Sequence, residues 1–217
     1  MITSHRRKMT PGVLAVVLML VLMPGMTVSA QDRMQPIPAD KMTDAQKKAV
    51  AEYVAARGST LAGGPFMVLL RIPEVMTLAR LMREHVQLRT VLGQKLTEFA
   101  ILITAREWTQ QYEWNAHHQA AIKAGLKQDI ITALAEGRRP DHMAEDEEIL
   151  YDFCVELHRN QGVSDTTYAR ALSKFGEEGI VEAATIEGYY ALLAMVMNTA
   201  RTPLPPGATP PLAPFPR

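Results

Sequence analysis

Apolar residues recur along this chain at three- and four-residue intervals, the spacing that stacks side chains on one face of an α-helix. From Thr90 onward the pattern is strongest: Leu96, Phe99, Ala100 and Ile103 share a stripe, with Glu98 just off it. Upstream, Thr43 reads as the N-cap of a helix reaching Arg57, with Gly58 just past its end. Leu61 to Pro65 reads as a turn or loop, Phe66 to Leu70 as a short apolar run, and Pro73 opens a helix that continues to about His85. A further helix is predicted from Gln110 to Ala124, stopped by Gly125, and a short one from Asp129 to Glu136, closed by Gly137. The acidic run Glu145 to Glu148 suits the first turn of a helix carrying Leu150, Phe153, Cys154 and Leu157. Ser164 or Asp165 caps the next, which Gly176 to Gly179 interrupts. The last, from Ile180 to Ala200, is apolar nearly all round, as a central or interface-buried helix should be. No stretch alternates as a strand would, so the predicted fold class is all-α.

Both ends depart from this pattern. Arg6, Arg7 and Lys8 precede an unbroken apolar run from Val13 to Met23, and Val28-Ser29-Ala30 offers a small-x-small cleavage site before Gln31. The run is shorter than the roughly 20 residues that span a bilayer. Residues 1–30 therefore read as a signal peptide that exports the protein to the periplasm or outside the cell, with no stable membrane insertion after cleavage. A retained anchor is the alternative. Residues 31–60 form a leader and first helix, 61–203 the main domain, and 204–217 a Pro-rich tail expected to stay extended or disordered. Residues 1–30 hold three basic and no acidic residues, so their removal leaves 187 of 217 residues and turns a formal charge of zero into −3. That size can bury a core in one domain, and the charge argues against nucleic acid. The single cysteine, Cys154, cannot close an internal disulfide; its helical spacing with Leu150 and Leu157 suggests a buried small residue rather than a reactive thiol.

The candidate chemistry lies in Tyr112-Glu113-Trp114-Asn115-Ala116-His117. Glu113 and His117 are four apart and project from one helix face, with Gln110 a turn earlier. Such a pair can move protons or bind a polar ligand, and it can equally be a solvated surface pair. The surrounding residues weigh on that choice. Leu96-Thr97-Glu98-Phe99-Ala100-Ile101-Leu102-Ile103-Thr104-Ala105-Arg106 and the Tyr112–His117 segment, followed by Ala120-Ala121 and Ala124-Gly125-Leu126, resemble two helices of the carboxymuconolactone decarboxylase family, which includes the alkylhydroperoxidase D-like proteins. Arg71-Ile72-Pro73-Glu74, Val163-Ser164-Asp165, Phe175-Gly176 and Gly188-Tyr189-Tyr190 through Asn198 extend the resemblance over most of residues 61–205.

The resemblance implies an all-helical subunit that assembles as a trimer or hexamer, with active sites between packed helices. The family's peroxidase branch carries Cys-x-x-Cys-x-x-x-His with a glutamate twelve residues before the first cysteine. Placing its histidine on His117 puts Gln110 and Glu113 where the sulfurs would be and Glu98 on the glutamate. Thiol peroxidase chemistry needs one sulfur to attack and another to resolve. The chain instead resembles the non-cysteine, decarboxylase-like branch, which implies a cofactor-independent lyase acting on a small organic acid or lactone. In that reading His117 carries the proton and Glu98 or Glu113 orients it. Arg106 holds a substrate carboxylate, with Gln110, Tyr112 and Trp114 as further substrate-binding candidates. Arg106 can also be a partner for Glu98 or Glu107, and Trp114 a packing anchor. The alternatives are an alkylhydroperoxidase-like antioxidant and a non-catalytic helical ligand-binding oligomer. No metal is expected, since there is no HExxH and His85, His142 and His158 lack ligand spacing. On one straight helix Glu98 and His117 would lie roughly 28 Å apart. They meet only if the chain reverses near 107–111 or a neighbouring subunit supplies one of them.

Overall fold

The computed structural model describes residues 32–214, so the predicted signal peptide lies outside the described residues. Eight α-helices follow in order: α1 (Asp44–Arg57), α2 (Pro65–Leu69), α3 (Pro73–Leu88), α4 (Gly93–Glu107), α5 (Gln111–Lys123), α6 (Gln128–Ala135), α7 (Glu145–Asn160) and α8 (Asp165–Ala200). Among the described residues there is no strand. The all-α prediction is correct, and the short apolar run after the Gly63-Gly64 loop is helix α2, opened by Pro65.

The helix ends follow local chemistry. The Thr43 hydroxyl accepts the Gln46 amide at 3.2 Å while the Gln46 side chain accepts the Thr43 amide at 2.9 Å, a reciprocal capping box. Gly58 then closes α1 at φ +65°, a left-handed conformation that costs a residue without Cβ little. In α8 the predicted interruption is a kink at Gly176, with φ 69° and ψ 177°.

Helix α4 forms the centre, packed by α5, α7 and α8. Every residue from Leu96 to Arg106 is buried, polar ones included. That run reads as a stripe in the sequence because Thr97, Glu98 and Thr104 break the hydrophobic pattern. They are nonetheless interior: Thr97 and Thr104 return their hydroxyls to the carbonyls one turn back, at 2.9 and 3.1 Å. From α8, Ile186, Tyr189, Tyr190, Leu193 and Met197 complete the core, while Val181, Leu192 and Met195 face outward.

Helix α1 is part of the same body, because Tyr53 sits in the core beside Phe66 with ring centroids 5.2 Å apart. As far as Ala213 the proline-rich tail is docked rather than loose. Leu212 is buried, and its backbone carbonyl and amide pair with the Gln111 side chain at 2.6 and 2.9 Å. The Arg106 guanidinium donates to the Ala213 carbonyl at 2.6 Å. Proline lacks an amide hydrogen and stays extended, yet one apolar side chain and a few carbonyls suffice to anchor such a strand.

Candidate active site

The reversal between α4 and α5 brings together the residues expected to handle protons, Glu98, Glu113 and His117. After α4, Thr109 adopts φ +45°, and the Gln110 amide reaches back to the Ala105 carbonyl at 2.7 Å. The Gln110 side chain then caps α5 by accepting the Tyr112 amide at 2.7 Å. Helix α5 thus folds back along α4, and Glu98 meets His117 within one chain.

The geometry is a carboxylate on each side of one imidazole. His117 Nδ1 lies 2.7 Å from Glu98 Oε2, and Nε2 lies 3.4 Å from Glu113 Oε2. Glu98 is fixed in turn by Gln94, whose amide donates to Oε1 at 2.9 Å. The second oxygen of Glu113, Oε1, is buried with no hydrogen-bond partner among the described residues. Tyr190 stands edge-on to the imidazole at 5.3 Å and 86°, and Tyr189 stands edge-on to Tyr190.

Burial alone would lower the pKa of His117, but hydrogen bonding to Glu113 and Glu98, with their negative charge, overrides it and raises the pKa to about 9. At neutral pH the ring is therefore an imidazolium that can give a proton from either nitrogen. Glu113 and His117 face a cavity of about 220 Å³, whereas Glu98 lies behind the ring. Nε2 is thus the nitrogen on the cavity side, held by the looser of the two contacts.

The cavity also explains which predicted residues belong to the site. Tyr112 lines it, its phenol pushed up mainly by burial. Arg106, Trp114 and Gln110, also expected to bind substrate, are not among its lining residues. Arg106 is committed to the tail, Trp114 is buried in the core, and Gln110 caps α5 while donating to the Asn198 side chain at 2.8 Å. The arginines at the cavity are Arg57, at the end of α1 and 5.4 Å over the Tyr53 ring, and Arg83 of α3. Neither forms an ion pair among the described residues. The imidazolium offsets one carboxylate, and two arginines outweigh the other, so the cavity favours an anion. Arg57 and Arg83 lie on other helices, far in sequence from α5, and carry no local signature, although Arg57 directly precedes the Gly58 stop.

The cysteine is remote from this chemistry. Cys154 is fully buried on α7, and burial followed by the nearby Glu187 carboxylate pushes its thiol well above the ordinary value. Glu187 also pairs with His158 in the interior, a second Glu–His contact away from the cavity. Among the described residues no cluster of three or more His, Cys, Asp or Glu side chains is arranged to hold a metal ion.

No protein-family model and no curated sequence matches the chain. Solved structures do match its fold. An uncharacterized peroxidase-related protein from Ralstonia eutropha JMP134, an alkylhydroperoxidase AhpD core, superposes with a TM-score of 0.65 at 15% identity, covering 81% of this chain and 94% of that one. A peroxidase-related protein from Silicibacter sp. TM1040 gives 0.62 at 16% identity over 82% and 94%. The debrominase Bmp8 in complex with 2,3,4-tribromopyrrole gives 0.63 at 11% identity, also over 82% and 94%. The chain therefore has the alkylhydroperoxidase D-like fold.

Proposed function

We propose that this chain of alkylhydroperoxidase D-like fold is an exported, cofactor-independent carboxy-lyase acting on a small carboxylated lactone or β-keto acid. The supporting observation is the imidazolium of His117 held between Glu98 and Glu113 at a cavity that also presents Arg57 and Arg83. The arginines bind the substrate's carboxylate and orient it. The bond between that carboxylate and the adjacent carbon breaks, carbon dioxide leaves, and the electron pair passes into the neighbouring carbonyl as an enolate. His117 Nε2 then delivers its proton to the carbon, leaving a neutral ring whose Nδ1–H stays on Glu98. Glu113, in reach of the same nitrogen and of the cavity, returns a proton from solvent.

A thiol peroxidase reading is disfavoured because a second cysteine is missing and the thiol present is buried with a raised pKa. The fold itself does not choose, since a debrominase shares it. Residues 6–30 support export, and a mature N-terminus at Gln31 would establish it. Exposed apolar side chains on α3 (Leu78, Leu81, Met82, Leu88) and α8 support self-association, which light scattering can measure. The catalytic reading is tested by offering β-keto acids and carboxylated lactones to the purified protein and following carbon dioxide. Release should fall roughly 10²- to 10⁴-fold in His117→Gln. Undiminished release in that variant, or peroxide turnover that vanishes in Cys154→Ser, would overturn the proposal.

A further inference from the structure

A second and larger cavity, about 490 Å³, adjoins the first and plays no part in the chemistry described so far. Its walls come from three segments that meet only in the folded chain: the leader (Met34, Pro36), helix α2 (Met67, Val68) and the start of the tail (Leu204, Pro205). The Arg33 amide ties the leader to the end of α8 through the Ala200 carbonyl at 2.8 Å, and the Arg71 guanidinium just after α2 donates to the leader carbonyl of Gln35 at 2.8 Å. The two cavities share Gly63 and Tyr112 in their linings. The Tyr112 ring lies flat against the glycine pair: a Cβ on Gly64 would fall 2.8 Å from the ring, and one on Gly63 3.4 Å from its hydroxyl. Gly64 also holds φ +73°. The glycines thus allow one half-buried aromatic ring to form the partition.

Polar groups in the larger cavity are few. The Asp32 carboxylate is turned to the Met34 amide at 3.0 Å, and the Thr202 hydroxyl is buried with no hydrogen-bond partner among the described residues. A negative charge is therefore unwelcome there, whereas an uncharged arm with at most one hydroxyl-seeking group fits.

We infer that this cavity receives the apolar arm of the substrate whose carboxylate sits at Arg57 and Arg83, with Tyr112 as the partition that sets its path. The inference rests on the proposed function for the head group. It makes the substrate class an amphiphilic monocarboxylate with a hydrocarbon or aromatic arm, rather than a compact dicarboxylic acid.

The test reads binding, without turnover. Calorimetry with acetate, butyrate, hexanoate, octanoate and decanoate should show affinity rising about fourfold per methylene once the chain passes Tyr112. Octanedioate should bind at least roughly tenfold more weakly than octanoate, because its second carboxylate meets Asp32. Val68→Trp and Leu204→Trp fill the cavity from a helix and from the tail. Each should abolish the gain for octanoate and decanoate while leaving butyrate unchanged, which also shows that the variant is folded. Affinities that stay flat along the series, no binding of any acid, or long-acid binding untouched by both tryptophans would overturn the inference. Chain-length-dependent binding without carbon dioxide release from any keto acid would sink the lyase reading and leave the cavity assignment standing. Release with flat affinities would do the reverse.

Discussion

Replacing the carboxylates around His117 should move its pKa in steps. In the native protein the ring's pKa stands at about 9 against an ordinary 6.5, even though burial opposes the charge. At 1.36 kcal/mol per unit, the two glutamates together supply about 3 kcal/mol beyond the burial penalty. A charge-assisted hydrogen bond contributes roughly 1.5–3 kcal/mol. Glu98→Gln or Glu113→Gln alone should therefore lower the pKa by about one to two units, to between about 7 and 8. The double variant should bring it below 6.5, because burial is then the main influence left. The assay is an NMR titration of the His117 ring carbon resonance in the native protein and the three variants. A native pKa near 6.5, or one near 9 that survives both substitutions, would refute the idea that the carboxylates hold the proton.

Three further outcomes follow from the same geometry. Arg83→Gln should raise KM for a carboxylate substrate roughly ten- to hundredfold with kcat little changed, whereas Arg106→Gln should leave KM alone; equal effects would contradict the assignment of the cavity. Because the folded pKa of His117 lies above its unfolded value, its stabilisation is fully present below about pH 6.5 and is lost as pH rises through about 9; His158, also raised by its contact with Glu187, acts in the same direction. Urea unfolding at the two ends of that window should differ by about 3 kcal/mol from His117 alone, and a flat or rising profile would oppose it. Leu212→Ala should cost about 2 kcal/mol, lower Tm by roughly 4–8 °C and open residues 203–214 to proteolysis; unchanged melting and cleavage would mean the tail is not anchored.

Much of this molecule is legible in its sequence where the signal is local. The Thr43 cap, the Gly58 stop and the Gly176 break are each fixed by the conformational preferences of one or two residues. So is the meeting of Glu98 with His117, once the chain reverses at Thr109 and Gln110 restarts the helix. Arg106 illustrates the opposite case. The family resemblance implies a substrate clamp at this residue, but side-chain direction on a buried helix depends on what packs there, and the tail carbonyl of Ala213 that Arg106 meets lies over a hundred residues away in sequence. Arg57 and Arg83 reach the cavity from α1 and α3 by tertiary packing alone. The second cavity needs the leader, α2 and the tail at once, so no single stretch announces it.

The central claim is that His117 works as a charged proton donor, and the pH dependence of kcat for carbon dioxide release tests it most directly. If the imidazolium supplies the proton, kcat stays level from about pH 6 to 8.5 and falls above about 9, following the ring's own titration. A rate that climbs through pH 6 to 8, as a neutral imidazole acting as a base would produce, contradicts the account.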